Sequence, residues 1–279
     1  MKNCAQEIFN IIERLYPFNY SVCSDEDVNY IEEFSSLLPF KVYRYSSGQE
    51  LNGWVIPKGW RCLSAELYVD GKLIFDGVKT HLGCSYLSPS FKGSITKDKL
   101  LKHCAYRKDL PEAVVYDWTR LYRTKDVTWG LSIPWDILQS IPENSVCDVN
   151  IVSEFYDYSM PVLEFYLPGQ SDSEFLINAH NCHPYQANDD LSGCAVAIQL
   201  FKNLAALTHR KYSYRLLIAP ELYGPMFWLK DKPELIAKIK SCVLLKSVGN
   251  ASPIKLQHSF KRDSYIDDIM ELALRHNVD

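Results

Sequence analysis

The sequence predicts an α/β protein with a largely parallel sheet covered on both faces and a β-rich segment set into it. Three observations carry this. From about residue 160 onward, strand-like and helix-like patterns alternate with short connections, the rhythm of a parallel sheet. Residues of about 46 to 158 instead read as mostly β, punctuated by prolines and aromatics. A hydrophobic fraction of 47% over 279 residues is enough to fill the core such an architecture needs.

The elements follow in order. Ile8, Ile11, Ile12 and Leu15 fall on one face of a helix that Pro17 stops. A second helix is expected from Ser24, with Asp27 closing a capping-box-like pair and Val28, Ile31, Phe34 and Leu38 facing inward. "AELYVDGKLIFDG" reads as a hairpin turning at Asp70-Gly71. "MPVLEFYLPGQSDSEFLINAH" gives two strands around Pro168-Gly169, and "LSGCAVAIQLFKNLAAL" a helix with Val196, Leu200, Leu204 and Leu207 as its buried stripe. "YSYRLLIAP" is a strand, "KPELIAKIK" a helix and "SCVLLKSVG" a strand. "DSYIDDIMELALRH" closes as a helix with Ser264 as N-cap. These patterns divide the chain into N-terminal helices (1–45), an inserted β-rich domain (46–158) and an α/β domain (159–279).

Composition removes several function classes. The net charge of -4 comes without any basic run interleaved with aromatics, so nucleic acid is not an expected partner. No stretch reaches the roughly 18 apolar residues of a membrane span, and the N-terminus lacks the form of a signal peptide. The nine cysteines stand singly and are odd in number, which fits reduced thiols in the cytoplasm.

The chemistry concentrates in "NAHNCHPYQANDDLSG", residues 178 to 193. His180 ends a strand, and the loop after it can fold Asp189 back beside it, pairing an imidazole nitrogen with a carboxylate oxygen, the donors zinc accepts. Glu221 ends the next strand, "YRLLIAPE", where a carboxylate can serve as general base for a hydrolytic water. His183 offers a further ligand or a substrate contact. Cys182 shares a face with His180, so it can orient that ring, ligate a metal or, less simply, act as a nucleophile. Asn188 and Asp190 are placed around the site as substrate-contacting or supporting groups. The competing reading is a polar, capped strand-to-helix turn. His81, His103, His209, His258 and His276 are isolated and read as surface or structural residues.

These residues resemble the M28-type di-zinc aminopeptidases. The matching pieces are His180-Asn181-Cys182, "ANDDLSG" from Ala187 to Gly193 and "APELYG" from Ala219 to Gly224. A closer resemblance is to the bacterial aminopeptidase-like DUF4910 family, with its "H-x-C-H-P-x-x-A-N-D-x-x-S-G" stretch and an inserted DUF2172 β domain marked by "NGWVIPKGW", "YLSPSFKGSI" and "VTWGL". The resemblance implies a three-layer, zinc-peptidase-like, mostly parallel sheet. It makes His180 a zinc ligand, Asp189 a bridging carboxylate and Glu221 the general base. Zn2+ is the implied cofactor and a peptide or small amide the implied substrate. A link to surface-polysaccharide biosynthesis is also implied, with the β domain walling the cleft or mediating homo-oligomer formation.

The chain departs from the M28 pattern at Cys182, which replaces an aspartate, at Leu222, which replaces a second glutamate, and at Lys246, near the place of a ligating aspartate. One zinc is therefore easier to hold than two. The pattern also has a distal histidine on a further C-terminal strand, which implies a C-terminally truncated version or an incomplete site. A degenerate, non-catalytic binding protein on the same fold is the alternative to the hydrolase.

Overall fold

The computed structural model describes residues 2–121 and 128–277; Val127 of "VTWGL" lies outside them. Helices α1 (Lys2–Leu15) and α2 (Asp27–Leu37) lead into strand β1 (Lys41–Ser46). There follow β2 (Glu50–Leu51), β3 (Trp54–Val55), β4 (Gly59–Val69), β5 (Lys72–Asp76), β6 (Phe91–Thr96), α3 (Lys97–Leu101), β7 (Cys104–Ala105), β8 (Leu131–Ser132), α4 (Trp135–Ser140) and β9 (Val146–Tyr156). The chain continues through β10 (Ser159–Leu167), β11 (Ser171–His180), α5 (Ser192–Ala205), β12 (Tyr212–Ala219), α6 (Tyr223–Lys230), α7 (Pro233–Ile236), β13 (Ile239–Leu244) and α8 (Tyr265–Asn277).

The main sheet has the order β1-β10-β12-β11-β13, and a second, four-stranded sheet has the order β5-β4-β9-β6. The α/β class is as expected, with a mixed sheet. β11 is parallel to both β12 and β13, whereas β1, β10 and β12 pair antiparallel. β10 and β11 are consecutive strands but do not pair, because β12 lies between them. Gly169 makes that crossing possible. A Cβ there would stand 2.1 Å from the Tyr212 carbonyl oxygen, so the backbone passes too close to the start of β12 for any side chain. The Asp70-Gly71 hairpin forms as read, with φ of 50° and 76° at its two central residues.

Alternation along β11 sends Ile177 and Ala179 to one face and Leu176 to the other. The first face packs beneath α1, α2 and α5, with Leu15, Phe34, Ile198 and Phe201 fully buried. The second face meets Phe227 and Trp228 of α6 and runs on into the apolar side of the four-stranded sheet through Ala65, Leu67, Val149 and Ile151. Both faces of the main sheet are therefore covered, and its strands read as apolar runs for that reason.

Three local expectations are corrected. α2 starts at Asp27 rather than Ser24, because the Ser24 hydroxyl donates to the Asn19 carbonyl and accepts from the Glu26 N–H, closing the turn before the helix. Val28 is consequently exposed, and Tyr30, Ile31, Phe34 and Leu37 form the buried face. In α5 the buried stripe is Cys194, Ala195, Ala197, Ile198 and Phe201, while Leu200 and Leu207 are exposed. Small residues let this helix lie close between α1 and the sheet, so the larger leucines are turned outward. The helix expected over "KPELIAKIK" is a single turn, α7.

One buried ionic cluster joins the central strands. Arg215 on β12 contacts Glu164 of β10 at 2.8 Å and grips Glu174 of β11 at 2.7 and 2.9 Å; the indole N–H of Trp228 donates to Glu164 at 2.7 Å. All three charged side chains are at most 8% exposed. Removing one partner of such a cluster strands the others, so Arg215→Met is expected to lower stability by about 3–5 kcal/mol in urea unfolding. A change below about 1 kcal/mol would show that the cluster is not a fold determinant.

Candidate metal centre

Because β11, β12 and β13 run parallel, their carboxyl ends open on one edge of the sheet, where ligands collect in α/β folds. Those ends deliver His180, Glu221 and Lys246. His180 is 2% exposed, and each of its polar groups faces a neighbour. Its N–H donates to Asp190 Oδ2 at 3.2 Å, its carbonyl accepts from the Cys194 thiol at 3.3 Å, and its Nδ1 lies 3.6 Å from Cys182 Sγ. Its Nε2 faces Asp189 Oδ1 at 3.1 Å.

That last contact is the unusual one. Nε2 and Oδ1 are both inaccessible to solvent, and they form an ion pair without the alignment of a hydrogen bond. A buried pair that is not joined by a well-aligned hydrogen bond has lone pairs to spare, and a metal ion bound to both atoms would use them. His183 Nδ1 stands 3.4 Å from the other Asp189 oxygen. The ligating atoms of His180, Cys182, His183 and Glu221 lie within 4.8 Å of one another, as do those of His180, Asp189 and Asp190. The donor types suit zinc, and the His180–Asp189 pair gives them a common focus.

Electrostatics support this grouping. Burial pushes both imidazoles toward the neutral form, but Asp189 and Cys182 outweigh it, raising His180 to about 9 and His183 to about 10. The Asp189 carboxyl is held far below its usual range by His180 and His183. Burial opposes ionisation of the Cys182 thiol, and the two imidazoles still draw it down to about 7. In the absence of a metal, four ionisable groups thus stabilise one another's charged forms in one small space.

The supporting residues have distinct places. Asp190 Oδ2 lies 3.9 Å from His180 Nε2, and both of its oxygens are engaged: Oδ2 accepts the His180 N–H, and Oδ1 accepts the Ser247 N–H at 2.9 Å and ties the end of β11 to the loop after β13. Asn188 does not reach the focus; its side chain accepts the Gly249 N–H at 2.9 Å, while Ser192 Oγ bridges the Asn188 carbonyl and the Val248 N–H. Cys182 Sγ accepts the Glu221 N–H at 3.2 Å, so one thiol positions both a candidate ligand and the candidate base. Lys246 Nζ holds Glu221 Oε1 at 2.6 Å. Of the isolated histidines, His103 stacks on Trp129, His81 packs on Tyr185 and His258 pairs with Glu271.

A cleft of about 650 Å³ opens onto His183, Asp189 and Glu221 and is walled by Trp54, Tyr116 and Trp118, with Gln186 and Leu222 completing it. The sequence reading did not single out the three aromatics or Gln186 as site residues. The quoted "NGWVIPKGW" contained Trp54, but nothing local ties it to a strand end far downstream.

The family model described as Domain of unknown function (DUF4910) matches residues 9–279. A Clostridium acetobutylicum protein, provisionally described as a polysaccharide biosynthesis protein with an aminopeptidase-like domain, is 28% identical over 97% of this chain and 61% of its own length. A crystal structure of a provisionally described peptidase from the same organism superposes with a TM-score of 0.86 at 27% identity, covering 99% of this chain and 65% of that one. The chain thus spans less than two thirds of these two relatives. A Bacillus subtilis zinc aminopeptidase shares the fold with a TM-score of 0.65 at 11% identity, over 97% of this chain and 77% of its own. A peptidase M28 precursor from Shewanella amazonensis does so with 0.60 at 15%, over 98% and 79%. Among the described residues, no helix is long and apolar enough to cross a membrane.

Asp190 offers a direct check on how this edge is built. A Cβ on Gly193 would stand 2.5 and 2.6 Å from its carboxylate oxygens. Gly193→Ala is therefore expected to displace Asp190 and cost about 1–3 kcal/mol in chemical denaturation. An unchanged midpoint would show that Asp190 is not clamped there.

Proposed function

The chain belongs to the DUF4910 family, and on that premise we propose that it is a zinc-dependent, aminopeptidase-like hydrolase of a peptide or other amide. The observation that carries the reading is the buried pair His180 Nε2 and Asp189 Oδ1, 3.1 Å apart and not aligned as a hydrogen bond, with His183 Nδ1 3.4 Å from the second Asp189 oxygen. His180, Asp189 and His183 would hold the ion, with Cys182 beside them as the group that orients His180. When bound, zinc polarises a carbonyl and makes a water more acidic.

The chain's own groups do the remainder. Glu221 lies at the cleft floor, takes a proton from the attacking water and returns it to the departing amine nitrogen. Its carboxylate is aimed by Lys246 and its backbone by Cys182. Leu222 contributes no donor, and the Lys246 ammonium adds positive charge beside Glu221, so the reading is of one zinc rather than two. Residues 46–158 form an inserted β-rich unit walling the cleft, and 1–45 with 159–279 form the peptidase-like unit. The relative's description supports a place in polysaccharide biosynthesis, and the free thiols suit a reducing cytoplasm.

The Lys246–Glu221 ion pair also favours a second reading, a non-catalytic binding protein whose base is permanently engaged. Two measurements separate them. Elemental analysis after zinc loading is expected to give about one zinc per chain, lost in His180→Ala; equal zinc in both proteins would end the metal assignment. Glu221→Gln is expected to keep the zinc and lower amide hydrolysis by about 10²–10⁴ in kcat. A parent protein that binds zinc and cleaves no aminoacyl amide would favour the binding reading.

A further inference from the structure

The cleft above the candidate centre has an uneven chemistry. Its floor is ionic, with Asp189 and Glu221, whereas its wall is made of flat aromatic rings, Trp54, Tyr116 and Trp118. Two of these rings are pinned from behind. Trp54 meets Tyr223 edge-on at 5.4 Å, and Tyr116 packs edge-on between Tyr86 at 6.1 Å and His183 at 5.8 Å. Trp118 is 56% exposed, and Gln186 adds an amide to the lining of the same cleft. A volume of about 650 Å³ is well beyond what a single amide group fills.

From this arrangement we infer that the cleft binds a sugar ring, and that the amide cut at the centre is carried on an amino sugar. A pyranose has flat C–H faces that stack on aromatic rings and an equatorial edge of hydroxyl and amide groups that hydrogen-bond to the Gln186 amide; the aromatic lining and Gln186 match those two surfaces. The inference rests on the hydrolase reading only for the bond that is cut. In that step water adds its oxygen to the carbonyl carbon, the C–N bond breaks, and Glu221 passes the proton to the sugar nitrogen. The products are an acid and a free amino sugar.

Binding is tested apart from turnover. Titration of the zinc-loaded full chain with N-acetylglucosamine and its β-1,4-linked dimer, followed by tryptophan fluorescence, is expected to saturate. Trp118→Ala is expected to bind the dimer roughly three- to tenfold more weakly. Because Trp118 is largely exposed, that variant should fold, and its thermal midpoint checks this; Trp54→Phe is a second probe of the wall. No saturable binding to the parent would overturn the inference, and so would affinity unchanged by both tryptophan substitutions. If the dimer binds but neither alaninamide nor N-alanyl-glucosamine is hydrolysed, the hydrolase reading fails and the sugar site stands. Cleavage of alaninamide without sugar binding gives the reverse.

Discussion

Everything at the strand ends depends on how completely His180 is fixed. Its amide, its carbonyl and both ring nitrogens face Asp190, Cys194, Cys182 and Asp189 respectively, in a setting where the ring itself is 2% exposed. A ring held at so many points leaves its Nε2 facing Asp189 Oδ1 without the alignment of a hydrogen bond. Without an ion, Asp189 and Cys182 hold the imidazole in its charged form; a metal ion would take the place of the proton, and the same carboxylate and thiol supply the charge to hold it.

That fixation is transmitted from the sheet. Parallel alignment of β11 with β12 and β13 brings His180, Glu221 and Lys246 to one edge, and Asp190 then staples the edge together by accepting from both His180 and Ser247. Deeper in the sheet the Arg215 cluster locks β10, β12 and β11 to one another. The two buried polar networks have different tasks. The Arg215 cluster is fully paired and closes on itself, whereas the His180 cluster is left open toward the cleft. Openness of that kind is where chemistry is placed, because a satisfied network has nothing further to bind.

Some of this was legible in the chain and some was not. The Asp70-Gly71 turn and the strand-end positions of His180 and Glu221 are local patterns, readable because a few neighbouring residues decide them. The buried face of α5 was misread because size does not decide which side packs: a helix wedged between another helix and a sheet turns its alanines and Cys194 inward. Ser24 prefers a carbonyl of the preceding turn to a helix end, a choice local pattern alone does not settle. The insertion of β12 between β10 and β11 is topological: Pro168-Gly169 reads locally as a turn, and only the fold brings Gly169 against the start of β12. The aromatic wall of the cleft was invisible for the same reason, since Trp54, Tyr116 and Trp118 meet His183 and Glu221 only through the packing of the β-rich segment on the main sheet.

The central claim is that His180 and Asp189 are held apart for a metal ion, and the most direct measurement is anomalous diffraction at the zinc edge from zinc-loaded crystals. The account predicts a single strong peak about 2.0–2.2 Å from both His180 Nε2 and Asp189 Oδ1, the range of zinc bonds to nitrogen and carboxylate oxygen. A map with no peak there, and with the imidazole and the carboxylate joined by an ordinary hydrogen bond, would contradict it.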